Sequence, residues 1–179
     1  MKTKSFLLEL EKKKLEINLG YIEQATKLIL KLNKKNKIIL AGNGASASIS
    51  SHISIDFTKA ARIRAINFNE ANLLTCFSND FGYENWIKKA LDYYAFKDDI
   101  MILVSSSGRS KNIINAAKFA KKRRMKIITL SGLNIKNPLK KIGDINFFVN
   151  SKNYNVVETT HLTILLAIVE NIISQKKIN

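Results

Sequence analysis

One cysteine, one proline and seven glycines in 179 residues leave several kinds of protein out of consideration. Cys76 has no second thiol in the chain, so it can form neither an internal disulfide nor a cysteine-based zinc cage, and it suits a reducing compartment. A single proline and so few glycines give no long flexible linker, and no solenoid repeat or low-complexity tract interrupts the chain. One domain is expected, and its length is enough to bury a sizeable core. Long apolar runs are missing as well. In "MKTKSFLLELEKKK" Glu9 ends the run of Phe6, Leu7 and Leu8, well short of the apolar core of a signal peptide. The stretch "LTILLAIV" at 162–169 is far below a membrane span. A cytoplasmic protein with no membrane partner is the expectation.

Acidic residues are also scarce, 14 against 30 lysines and arginines, and the formal charge of +16 raises the question of a polyanionic partner. The densest run, "KKRRMK" at 121–126, closes a predicted helix, where cations face the carbonyl end of the dipole. No aromatic residues alternate with it to stack on bases. A solvated basic surface is the reading, and a nucleic-acid partner is not expected.

What the chain does contain is an alternation of short β-rich runs and helical patterns. Phe6 to Leu32 is helical, with Leu15, Leu19, Ile22, Ile29 and Leu32 at threes, fours or their sums, and Gly20 is a candidate break. Strands are expected at "KIIL" (37–40), "RAINF" (64–68), "DIMILVS" (99–105), "KIITL" (126–130) and "INFFV" (145–149). Helices are expected after "GNGAS", over 84–94, after the serine loop and from about 157 to 173. Such alternation predicts an α/β fold: three α-β-α layers with a five-stranded parallel sheet, a helical segment over 1–36 and an α/β core over 37–175.

In parallel sheets of this kind ligands sit beyond the carboxyl ends of the strands, near the point where strand order reverses. Two predicted strands end in unusual polar loops, "GNGAS" (42–46) and "SSSGRS" (105–110). In the second, Ser105, Ser106, Ser107 and Ser110 supply hydroxyl donors beside a helix start whose N–H groups are unpaired, a combination suited to phosphate oxygens. Helix capping accounts for one of these serines and leaves three unexplained. "GNGASA" also fits a dinucleotide-binding turn with Glu70 as ribose acid, a reading that leaves the serine loop without a task. The two histidines each sit near a carboxylate: His52 and Asp56 four apart on one helix, Glu158 and His161 three apart on another. Either pair can share a metal or a proton.

With these residues assembled, the chain resembles sugar isomerase (SIS) domain proteins, most closely the phosphoheptose isomerase family, from about Lys37 to Glu170. The stretches "AGNGASASISSHISIDF", "FSNDFGYENW", "LVSSSGRSKNII" and "VVETTHLTILLAIVE" carry the likeness through their order and spacing. The resemblance implies a homotetramer with sites at subunit interfaces that binds a phosphorylated sugar. It implies that Ser105, Ser106, Ser107 and Ser110 hold the phosphate, that Asn43, Gly44 and Ala45 line the sugar, and that Asn79 and Asp80 contact its hydroxyls. Read without the family, Asp80 is a helix N-cap. The family's His-x-x-x-Glu is matched by His52 and Asp56, its glutamine at the start of the last helix by Glu158 and a nearby histidine by His161, while a further histidine is matched by Leu166.

In the family the helical histidine and acid bind zinc, and the further histidine serves as zinc ligand and general acid. Here His52, Asp56, Glu158 and His161 together would make a two-histidine, two-carboxylate zinc site where the two helices meet, within a chain or across subunits. Asp56 is the candidate base and His161, or a metal-bound group, the candidate acid of an aldose–ketose interconversion, and Glu158 also lies among the substrate contacts. That chemistry removes a proton beside a carbonyl and returns it to the neighbouring carbon through an enediolate, which needs a base and something positive for the developing oxyanion. The implied reaction takes sedoheptulose 7-phosphate to D-glycero-D-manno-heptose 7-phosphate, a precursor of lipopolysaccharide or capsule. The rival is a non-catalytic SIS protein that binds sugar phosphate or acts through protein contacts, similar to the DnaA initiator-associating protein.

Overall fold

The computed structural model describes residues 2–176. Two helices, α1 (Lys2–Leu15) and α2 (Leu19–Leu30), precede β1 (Ile38–Ala41), α3 (Ala45–Lys59), β2 (Ala65–Asn67), α4 (Ala71–Phe81) and α5 (Trp86–Tyr94). There follow β3 (Ile100–Ser105), α6 (Lys111–Lys122), β4 (Lys126–Gly132), a 3-10 turn at Leu139–Lys141, β5 (Ile145–Val149) and α7 (Tyr154–Lys176). The strands form one sheet in the order β2-β1-β3-β4-β5, every pairing parallel.

The three central strands, β1, β3 and β4, are buried almost throughout, which is why they read as continuous apolar runs. Successive side chains point to opposite faces and so divide the core into two. Ile38, Leu40, Ile102 and Val104 face α2, α3 and α7 with Ile53, Phe57, Leu165 and Ile168. Ile39, Ala41, Met101 and Leu103 face α5 and α6 with Trp86, Leu91, Ile113 and Ala117. Because α3 lies on one face and α6 on the other, the loops that follow β1 and β3 part, and a crevice opens between them at the reversal of strand order.

Two expectations need correction. The break between the first helices is made by Asn18, whose side chain accepts a hydrogen bond from the Tyr21 N–H at 3.1 Å and caps α2; Gly20 lies inside that helix. Helix α4 is an addition, and Glu70 is its N-cap, accepting from the N–H groups of Asn72 at 3.0 Å and Leu73 at 2.8 Å. That use of the carboxylate takes Glu70 out of the dinucleotide reading. Helix α7 has the length and apolarity of a membrane span, yet half of its most apolar stretch is buried, with Val157, Ile164, Leu165, Ile168 and Val169 packed in the core.

Candidate functional site: a serine-lined hollow at the strand-order reversal

Where β3 ends, the chain turns through residues 106–110 before α6 begins. Gly108 makes the turn possible: its φ of +60° favours glycine, and a Cβ there would collide with the Asn137 side chain. Its N–H bonds back to the Ser105 carbonyl at 2.9 Å and to the Ser105 hydroxyl at 3.2 Å. Across the crevice Gly42 lets β1 run close against α3, since a Cβ on it would lie 2.5 Å from the Ser46 backbone. Gly44 is the N-cap of α3.

Together these turns shape a hollow of about 200 Å³ lined by Asn43, Ser46, Ser105, Ser106, Ser107, Ser110, Tyr154 and Glu158. All four serines of the loop therefore face one space. Ser106 donates to the Glu158 carboxylate at 3.4 Å, and Ser107 accepts from the Arg109 N–H at 3.3 Å. Ser110 occupies the N-cap position of α6, but its side chain makes no capping bond, and α3 likewise begins without a side-chain cap. Elsewhere α2 and α4 are capped by Asn18 and Glu70, while α5 starts at Asn85 without a side-chain capping bond. At the starts of α3 and α6 the Ala45, Lys111 and Asn112 N–H groups are left available to an anion, whereas those of Ser46, Ala47 and Ile113 are bonded to the Asn43 carbonyl, the Gly44 carbonyl and the Asn112 side chain. No lysine or arginine is among the lining residues, so what the hollow offers an anion is oriented N–H and O–H groups within a strongly basic molecule. Larger spaces exist, of about 290 Å³ beside the α1–α2 joint, about 670 Å³ between α5 and α6, about 420 Å³ beside the end of α2 and residues 62–64, and about 240 Å³ beside residues 95–97. None of them lies at the carboxyl ends of β1 and β3, where the serine hydroxyls converge.

Ser46, buried at the start of α3, and Tyr154, exposed at the start of α7, are additions to the predicted set. Residue type alone does not single them out; the hollow does. Gly44 and Ala45 are exposed at the head of α3 beside Asn43.

The other predicted residues divide. His52 and Asp56 do form a pair, Nε2 to Oδ2 at 3.3 Å, on an outward face of α3 with His52 57% exposed. They do not line the hollow of their own chain. Asn79 and Asp80 are exposed in the last turn of α4, hydrogen-bonded to each other at 3.0 Å, so Asp80 is no N-cap and neither residue reaches the serine loop in a single chain. His161 is corrected outright. It is fully buried, and its Nε2 stands 3.2 Å from the Ser131 carbonyl oxygen on β4. That nitrogen must therefore carry the proton, which leaves Nδ1 a bare acceptor without a partner. Burial lowers the imidazole to about 4, the bond to the Ser131 carbonyl opposing the shift. Sealed in the core, the ring lines no part of the hollow and meets no other candidate ligand among the described residues, so within this chain the structure does not bear out His161 as acid or zinc ligand. Leu166, at the position of the further histidine, is half-buried against the same core.

With His161 withdrawn, the implied zinc site is left with His52 and Asp56 on one surface and Glu158 in the hollow. Among the described residues no three His, Cys, Asp or Glu side chains converge. One chain by itself does not fit the ion.

Comparison with known proteins agrees with this layout. The SIS domain family model matches residues 7–132. The phosphoheptose isomerase of Thermodesulfovibrio yellowstonii is 33% identical over 166 residues, covering 87% of this chain and 82% of that relative. Among solved structures, a phosphoheptose isomerase from Francisella tularensis superposes with a TM-score of 0.87 at 26% identity, over 97% of both chains. The phosphoheptose isomerase of Neisseria gonorrhoeae does so at 0.86 and 25% identity, over 93% of this chain and 92% of the other. A serine-lined hollow at the strand-order reversal of a 2-1-3-4-5 sheet and this degree of sequence identity lead to one conclusion: the chain belongs to the SIS domain family, among the phosphoheptose isomerases.

Proposed function

We propose that the protein is an isomerase interconverting sedoheptulose 7-phosphate and D-glycero-D-manno-heptose 7-phosphate, a soluble enzyme of heptose supply for surface polysaccharide that works in the cytoplasm. The observation that carries the proposal is the convergence of Ser105, Ser106, Ser107 and Ser110 on one hollow at the uncapped start of α6. Those donors hold the phosphate, and the small volume beside them takes the polyol chain. Asn43 and Glu158 face the sugar from opposite walls.

The base is a carboxylate that removes the proton beside the carbonyl and returns it to the neighbouring carbon, while the hydroxyl proton moves between the two oxygens. Asp56 is our candidate. Since it faces outward on α3, it acts on the hollow of a neighbouring subunit in a homotetramer, where Asn79 and Asp80 also complete the sugar contacts. Zinc enters the proposal only as an ion held between subunits by His52 and Asp56 with Glu158. The non-catalytic alternative is not favoured, because relatives that match most of this chain are phosphoheptose isomerases.

The test is turnover of sedoheptulose 7-phosphate by the purified protein, with and without added zinc, alongside metal analysis and the mass of the assembly in solution. Absence of turnover under both conditions overturns the isomerase reading. Asp56→Asn separates the two readings: an enzyme loses turnover by about 10²-fold or more while still binding sugar phosphate, whereas a scaffold is indifferent.

A further inference from the structure

Asn43 does not stand alone in the wall of the hollow. Its carboxamide pairs reciprocally with that of Asn112 on α6: Asn43 Nδ2 donates to Asn112 Oδ1 at 3.0 Å, and Asn112 Nδ2 donates to Asn43 Oδ1 at 2.9 Å. The pair spans the crevice, joining the loop after β1 to the helix after β3. Asn112 is only 1% exposed. A third element enters through Tyr83, in the turn between α4 and α5, whose hydroxyl donates to Asn43 Oδ1 at 3.2 Å. The same turn is tied to α6 by Asn115, whose side-chain amide donates to the Glu84 carbonyl at 2.9 Å.

The directions of the bonds among Asn112, Asn43 and Tyr83 follow from one backbone group. The Ile113 N–H can only donate, and it lies 3.0 Å from the Asn112 oxygen. That settles which end of the Asn112 amide is oxygen, and the reciprocal pair then settles Asn43. The Asn43 oxygen has two lone pairs, one filled by Asn112 and one by Tyr83. Its nitrogen has two hydrogens, of which Asn112 takes one. A single N–H is left.

We propose that Asn112 and Tyr83 are positioning residues that lock Asn43 as a one-way hydrogen-bond donor, so that this wall of the hollow recognises an acceptor oxygen of the sugar phosphate and refuses a group that must donate. The reading of the hollow as a sugar-phosphate site supplies the ligand; the amide geometry supplies the direction. A free asparagine could turn either end to the ligand, and the pairing removes that choice before binding, which lowers the ordering needed at the moment of binding.

A double-mutant cycle tests the proposal, with Asn43→Ala and Tyr83→Phe made singly and together. Each variant is read by kcat/KM for sedoheptulose 7-phosphate and, independently of turnover, by its calorimetric Kd. Tyr83 is half-exposed, so Tyr83→Phe is expected to leave the melting temperature of the full-length protein unchanged. It is expected to lower kcat/KM and weaken binding by about 3- to 10-fold, the loss of one neutral hydrogen bond. In the Asn43→Ala background the same change is expected to do nothing, because Tyr83 acts only through Asn43; a tyrosine with a merely structural role would show its effect in both. Equal losses in the two backgrounds, or no loss in either, overturn the proposal. A wild type that binds without turnover rejects the isomerase reading and leaves the cycle readable on affinity, and a wild type that neither binds nor turns over rejects both.

Discussion

Strands β1 and β3 lie side by side, and a polar cluster sits at each end of the pair. At the amino end Asp99 is fully buried and meets four donors: the Lys37 ammonium at 2.6 Å, the Lys37 N–H at 2.9 Å, the Phe96 N–H at 2.9 Å and the Asn36 side chain at 3.1 Å. Lys37 also lies over the Phe96 ring, 4.2 Å from its centroid. At the carboxyl end Ser107, Ser110 and the last N–H of Asn43 face an open hollow, and α6 begins uncapped. Both clusters are polar and both bridge the same strands. A buried group that is fully hydrogen-bonded has nothing left to offer a ligand, and it holds the strands in place. Donors held toward solvent without internal partners are available to bind. The difference in satisfaction separates the structural end of the sheet from the functional one.

The comparison can be broken most severely at the closed end. Asp99→Ala leaves the Lys37 ammonium buried and unpaired, and a loss of about 3–5 kcal/mol of stability is expected by urea unfolding. The folded fraction should bind inorganic phosphate as the wild type does. A loss below about 1 kcal/mol would mean that the amino-end cluster is not structural in the sense argued.

Next in size is a sealed group that lies directly behind the open end. His161 is lowered to about 4 when folded and returns to its ordinary value near 6.5 on unfolding. Between these values the unfolded chain binds a proton that the folded one refuses, so stability falls as pH drops from 6.5 to 4; above 6.5 the group gives no slope. On the order of 3 kcal/mol should be lost across that window. His161→Gln should remove this part of the slope. The difference between the two acid limbs is the quantity to measure, since the carboxylates common to both proteins cancel.

At the open end, Ser110→Ala removes a hydroxyl that makes no capping bond. Stability should change by less than about 0.5 kcal/mol, since a surface substitution of this kind breaks no internal bond, while sugar-phosphate affinity should fall about 10-fold, the loss of a bond to a charged oxygen. A stability loss without an affinity loss would make Ser110 a helix cap and sink the comparison. The smallest effect belongs to the other class of helix start. Glu70→Ala should lower the melting temperature slightly by removing the cap of α4 and leave phosphate affinity unchanged.

Much of the fold is legible in residue order. Residues 145–149 are predicted as a strand and form β5 without a residue's shift, and the other four strands overlap their β-rich runs. Helix α4 is not legible. Asn72, Thr75, Cys76, Ser78, Asn79 and Asp80 are weak helix formers, and the helix is held by Leu73, Leu74 and Phe77 packing against the second half of the core, together with the Glu70 cap. In the site, the serine loop is legible because four hydroxyls around one glycine exceed what capping needs. The Asn43–Asn112–Tyr83 cluster joins residues 69 and 40 positions apart, and no local pattern announces it.

His161 marks the boundary most clearly. The i, i+3 spacing from Glu158 correctly puts both near one side of α7, yet Glu158 reaches the hollow and His161 is shut beneath Ser131. Hydrophobic periodicity and turn chemistry are local, so residue order by itself determined the alternation of strands and helices, the parallel sheet and the loop that offers hydroxyls. Which polar groups found partners and which were left open depends on what distant segments bring against them, and that only the tertiary packing decided.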